Sequence, residues 1–117
     1  MEIVRFDRGD KAIGRHGSAG ARATRVAAGA GEVSVVCLAV EPGGLIGTHP
    51  AASAQLFLVI AGQGWVAGPG GERVAVSAGT AVRWEAGEAH TCGSDTGLTA
   101  LAVEAGSLEV FGRGLGG

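Results

Sequence analysis

The sequence is poor in the residues that commit a chain to a charged, covalent or lipid partner. It has a single lysine, Lys11, and eight scattered arginines, so it lacks the clustered basic surface that nucleic acid requires. It has two cysteines, Cys37 and Cys92. Two cysteines fit a reducing compartment and two free thiols better than a disulfide scaffold. No apolar run is longer than the one at residues 56–61, which is far too short to cross a bilayer. No N-terminal stretch joins a basic region to an apolar one, as a signal peptide would. These absences lead to the expectation of a cytoplasmic protein with no nucleic-acid and no membrane partner. No segment keeps apolar residues at helical spacing over three turns, so no long helix is expected.

What the chain has in quantity is glycine. It accounts for 23 of 117 residues, against about 7% in average proteins. A chain of this length holds one domain with one core. Short β-branched runs cover residues 22–28, 32–41, 55–61, 64–68, 72–78, 80–85, 89–92 and 98–104, with glycine-rich separators between them. Short strands recurring roughly every 8–12 positions indicate an antiparallel sandwich or barrel. Residues 1–21 are expected to form an N-terminal edge strand (2–6) and a flexible loop (8–21). Residues 22–105 form the barrel, and residues 106–117 form a tail whose last glycines are loose.

Two turns are expected to close hairpins: Ala61-Gly62-Gln63-Gly64, and Gly68-Pro69-Gly70-Gly71 with Pro preset for the first central position. Period-2 alternation puts Gln55, Phe57, Val59 and Ala61 on one face of their strand and Leu56, Leu58 and Ile60 on the other. Both faces are apolar, so the outer one must be covered within the chain or by a second copy. A homodimer burying Leu56, Leu58 and Ile60 is the expected solution.

Histidine is also scarce: His16, His49 and His90. His16 falls in the N-terminal loop and reads as solvated. His49 precedes the strand that begins near Gln55, and His90 opens a short strand after the turn at residues 85–88. In a small barrel, residues at strand ends can meet at one mouth although distant in sequence.

The stretch from Gly43 to Ser94 resembles the two-part signature of the cupins, small jelly-roll β-barrels. Gly43 is followed by five residues and His49; Ala51 stands where that family has a second His, Gln55 where it has Glu, and Gly62 closes the first motif. Gly79 is followed by five residues, Glu85-Ala86-Gly87, two residues, His90, three residues and Ser94, with Glu85 in place of Pro and Ser94 in place of Asn. The resemblance implies an all-β, antiparallel double-sheet jelly roll. Carried over residue by residue, the family's metal set leaves His49, Gln55 and His90, with Ala51 unable to ligate. Such a set would hold a divalent transition ion (Zn, Ni, Mn or Fe) weakly, if at all. Cys92, two residues after His90, is a further candidate ligand, although a small buried hydrophobe is its plainer role. Glu88 is a candidate general base or imidazole partner on a turn. Phe57, Trp65 and Trp84 are the candidate pocket walls.

The functional expectation is a cupin that binds a small molecule. The alternative is a metal-dependent oxygenase or isomerase acting on a small organic substrate. No acidic residue is assigned to the barrel interior, which favours the binding protein.

Overall fold

The computed structural model describes the backbone of residues 1–7, 11–111 and 113–114. The described residues contain strands and turns and no helix. In chain order the strands are β1 (Glu2–Arg5), β2 (Lys11–Ala12), β3 (Arg22–Ala23), β4 (Ala27–Val40), β5 (Gly44–Pro50), β6 (Ala54–Ala67), β7 (Arg73–Ser77), β8 (Thr80–Trp84), β9 (Ala89–Ser94), β10 (Leu98–Val110) and β11 (Arg113–Gly114). One sheet runs β11–β1–β8–β6–β10–β4. The second joins β5, β9 and β7 around the far half of β6. Every pairing is antiparallel, as the alternating pattern indicates, and the two sheets face each other as a jelly roll.

β6 belongs to both sheets. Its first half pairs with β10 and β8, and its second half with β7 and β9. The expected hairpin at residues 61–64 is therefore not a turn: the strand runs straight through it. Two devices carry it across. Ile60 is an extra residue, because Ala61 pairs with Thr99 while Val59 pairs with Ala100. Gly62 takes a φ of +81°, and a Cβ there would fall onto the carbonyl oxygen of Gly97. The second expected turn is present: the Gly71 N–H donates to the Gly68 carbonyl at 3.0 Å across Pro69-Gly70.

Other boundaries also move. The glycine-rich separator at residues 28–31 lies inside β4, whose ladder to β10 extends to the pair Ala27–Val110. β10 thus continues past residue 105, where the barrel was expected to end. β5, which carries His49, was not expected as a strand, because Gly44, Gly47 and Pro50 interrupt its apolar pattern. β1 is flanked by β8 and β11 and so is not an edge. β2 and β3 pair across the segment expected as an open loop. Residues 8–10 of that loop, and residues 115–117 of the expected loose tail, lie outside the described residues.

The main core fills the space between the sheets with Val40, Phe57, Val59, Val66, Val76, Val82, Trp84 and Leu98. Burying each such side chain is worth about 1.5–3 kcal/mol. A second cluster covers the outer face of β6: Leu56 and Leu58 pack with Val4, Phe6, Val26, Leu108 and Val110. The apolar outer face that led to the expected homodimer is therefore covered within the chain. Leu56 is 1% exposed, and of the three residues only Ile60 is open, at 48%.

The crossing at Gly62 makes a test. Gly62→Ala combines an unfavourable φ with a backbone clash and is expected to cost about 3 kcal/mol. Gly43→Ala shares the positive φ, +79°, but meets nothing within 4 Å, and should cost only about 1 kcal/mol. Urea unfolding of the two variants checks the difference; equal losses would show that close packing at the crossing contributes nothing.

Candidate functional site

Each half of the double sheet contributes one wall of a cavity of about 200 Å³. From the first sheet, Gln55 and Phe57 of β6 point inward, as alternation predicted, with Trp84 of β8 and Ala102 and Glu104 of β10. Gln55 pairs with Glu104 on one side and Trp84 on the other, so these three form a rank across the sheet. From the second sheet come Ile46, His49, Val66, His90 and Cys92.

Both histidines reach the cavity for local reasons. His90 and Cys92 are two apart on β9 and share a face. His49 and Ile46 are three apart, which would place them on opposite faces of a regular strand. An extra residue in β5 between the pairs Ile46–Cys92 and His49–His90 corrects the parity, so both face inward. His49 and His90 are therefore cross-strand partners with ring centroids 4.4 Å apart. His90 is buried and stacks on Trp84, with centroids 4.7 Å apart and planes 21° from parallel. His49 is exposed and stands at the mouth.

The hydrogen bonds fix how each polar group is presented. His49 Nδ1 lies 2.8 Å from the Gly47 carbonyl oxygen, and His90 Nδ1 lies 3.0 Å from that of Glu88. A carbonyl only accepts, so Nδ1 carries the proton in both rings. In the neutral imidazole Nε2 then keeps its lone pair. Gln55 Nε2 donates to Glu104 Oε1 at 2.7 Å. That bond fixes the amide orientation and leaves Gln55 Oε1 as an acceptor. Trp84 Nε1 is buried and has no hydrogen-bond partner.

The remaining candidates divide. Cys92 lines the cavity, and its thiol is pushed above its ordinary pKa by burial, only partly offset by a hydrogen bond from the Ile46 N–H. A thiol held protonated is a poor ligand, which agrees with its plainer role. Glu88 is not among the residues lining the cavity. Its Oε2 lies 2.7 Å from the Met1 ammonium, and its Oε1 accepts from the Glu85 N–H at 2.9 Å. Burial alone would raise its pKa, but those two hydrogen bonds and the charges of the ammonium and His90 outweigh it and hold the carboxyl below its ordinary value. Its oxygens are engaged, so a role as general base at the cavity is not supported.

Trp65 is also placed elsewhere. Strict alternation from Gln55 would turn it inward, but the extra residue at Ile60 reverses the parity, so Val66 enters the core instead. Trp65 lies under the Arg73 guanidinium, 3.7 Å from the ring centroid, and against Gly93, where a Cβ would come within 2.5 Å of the indole. His16 is exposed and remote from the cavity, as expected. Ala51 is buried in the core and does not line the cavity.

The residue that the sequence reading missed is Glu104. The interior was expected to hold no acid, yet Glu104 lines the cavity. The signal was available: Leu98, Ala100, Ala102 and Glu104 alternate along one run, and the first three are core-like.

A double-sheet jelly roll with paired histidines at one mouth of its cavity defines a class of small β-barrel. A cupin domain profile matches residues 36–106. The chain belongs to the cupin family. Among solved structures it is similar to an uncharacterised conserved protein with a double-stranded β-helix domain from Klebsiella pneumoniae (18% identity, TM-score 0.60, 74% of this chain and 80% of that one). It is also similar to a conserved protein of unknown function from Streptococcus pyogenes (17% identity, TM-score 0.59, 72% and 68%). A third is a predicted oxalate decarboxylase from Thermotoga maritima (22% identity, TM-score 0.55, 66% and 65%). At these identities the likeness establishes the fold alone. No curated protein matches the sequence.

The Gln55–Glu104 bond can be tested by moving its charge. Gln55→Glu sets two carboxylates against each other and is expected to lose about 1–2 kcal/mol of stability. Gln55→Glu combined with Glu104→Gln restores the donor–acceptor pair with its direction reversed and should recover most of the loss. Thermal melts of the single and double variants check this; a double variant no more stable than the single one would show that the two side chains are not coupled.

Proposed function

We propose that this cupin binds a small molecule in the cavity between its sheets, with a weakly held divalent transition ion at His49 and His90. The observation that supports it most strongly is the pair of imidazoles whose Nδ1 atoms are both tied to backbone carbonyls, which leaves two Nε2 lone pairs for a cation. The largely apolar walls, Ile46, Phe57, Val66 and Trp84, suit a small organic ligand.

The residues present fit a divalent ion only in part. His49 and His90 supply two nitrogen donors, and Gln55 Oε1 is the third candidate. Among the described residues no group of three or more His, Cys, Asp or Glu is arranged to hold a metal ion. Two imidazoles and a neutral amide offset little of the ion's charge, so affinity for Zn, Ni, Mn or Fe is expected to be low. When bound, such an ion would act as a Lewis acid toward an oxygen or nitrogen of the ligand. The chain's own contribution is to hold both rings in one tautomer, to place His90 against Trp84, and to enclose the ligand in apolar surface.

One observation favours the alternative of a metal-dependent enzyme: Glu104 supplies the interior carboxylate that proton-transfer chemistry would use. In the binding reading Glu104 accepts a hydrogen bond from Gln55 through one oxygen.

The test is a calorimetric titration of the wild type, His49→Ala and His90→Ala with Zn²⁺, Ni²⁺ and Mn²⁺, with the fold checked by circular dichroism. Weak wild-type binding is expected, with each substitution lowering affinity at least tenfold, or about 1.4 kcal/mol. Unchanged affinity in both folded variants would remove the metal from this proposal.

A further inference from the structure

The cavity's polar groups are mostly acceptors. His49 Nε2, His90 Nε2, Gln55 Oε1 and the Glu104 carboxylate all offer lone pairs. The donors among the lining residues are the Trp84 indole N–H, the second hydrogen of Gln55 Nε2 and the Cys92 thiol, all neutral. Among the described residues no lysine or arginine lines the cavity, and Glu104 is the one acid that does. A carboxylate has about four lone-pair sites, and Gln55 supplies a single neutral donor to one oxygen. A half-buried carboxylate flanked across the sheet by the neutral Gln55 and Ser34, with no described lysine or arginine in the cavity lining, favours a positively charged or donor-rich partner. Among the described residues Glu104 and the two imidazoles are not grouped to hold one metal ion; Glu104 adjoins them through its hydrogen bond from Gln55.

We infer that the cavity selects a small organic cation, an ammonium on a compact apolar body, and that Glu104 is the residue that recognises it. The inference rests on the small-molecule reading above and names the ligand's class. The cavity of about 200 Å³ matches roughly seven waters at ~30 Å³ each, enough for one ring with a short arm. Phe57 and Trp84 supply aromatic surface, which favours a cationic nitrogen over a neutral one. A carboxylate ligand would meet Glu104 with like charge and no lysine or arginine among the described lining residues to compensate.

Three probes of one shape and different charge test this: benzylammonium, benzyl alcohol and benzoate, titrated into the full chain and followed by indole and Phe57 resonances in NMR. The wild type should bind benzylammonium at least about tenfold more tightly than benzyl alcohol, and benzoate most weakly. Glu104→Gln, which keeps the shape and removes the charge, should bring ammonium and alcohol to within about twofold. Glu41→Gln, which removes an exposed carboxylate outside the cavity, should keep the ammonium preference. Benzoate binding as tightly as benzylammonium, or a preference that survives Glu104→Gln, would overturn the inference. Equal binding of ammonium and alcohol to the wild type would overturn it too, while leaving the small-molecule reading in place. No response to any probe at millimolar concentration would overturn both.

Discussion

The structure depends on one strand changing sheets. β6 spends its first half beside β10 and β8 and its second half beside β7 and β9, so the two walls of the barrel share a continuous backbone. A strand can make that passage only if it bends sharply and gains or loses a residue against its neighbours. Ile60 provides the extra residue, and Gly62 provides a φ and a close approach that a side chain would forbid. The same passage sorts the side chains. Gln55 and Phe57 fall inside, Val66 follows them, and Trp65 is turned out under Arg73. A second irregularity in β5 does the equivalent work for His49, bringing it beside His90.

The site that results is organised by hydrogen bonds to groups that can only accept. Two backbone carbonyls set the tautomer of the two imidazoles, and one carboxylate sets the orientation of the Gln55 amide. Each contact settles which atom remains to face a ligand. Small movements of the buried His90 ring or the Gln55 amide would cost a hydrogen bond in a poorly solvated space, so those acceptors are held in place before anything binds. The proposed metal and the inferred ammonium draw on different acceptors of the same cavity, the imidazole pair for one and Glu104 for the other.

Much of this was legible in the sequence. The spacing of Gly43, His49, Gln55, Gly62, Gly79 and His90 indicated the family, and alternation placed Gln55 and Phe57 inside. His90 with Cys92 followed from the same rule. The misreadings have several physical sources, the first of them strand irregularity. Alternation holds only until an extra residue intervenes, so nothing at Ile60 announced that Trp65 would face outward. Glycine marks both a turn and a crossing, so residues 61–64 read as a hairpin. β5 was hidden because Gly47 and Pro50 break its pattern, although Pro50 stands at its end, where a missing N–H is tolerated. Leu56 and Leu58 read as an interface because the residues that cover them, Val4 and Phe6, Leu108 and Val110, lie far away in sequence. Glu104 was passed over because it closes an apolar run, where a charged residue ordinarily marks the way out to solvent.

The account's central claim is that both imidazoles present Nε2 lone pairs into the cavity. Long-range ¹H–¹⁵N correlation of the histidine side chains, recorded where the rings are neutral, reads this directly. The predicted result is the Nδ1–H tautomer for both His49 and His90, with the Nε2 resonances of the two rings shifting together as Zn²⁺ is added. The Nε2–H tautomer at either ring, unmoved by Zn²⁺, would contradict it.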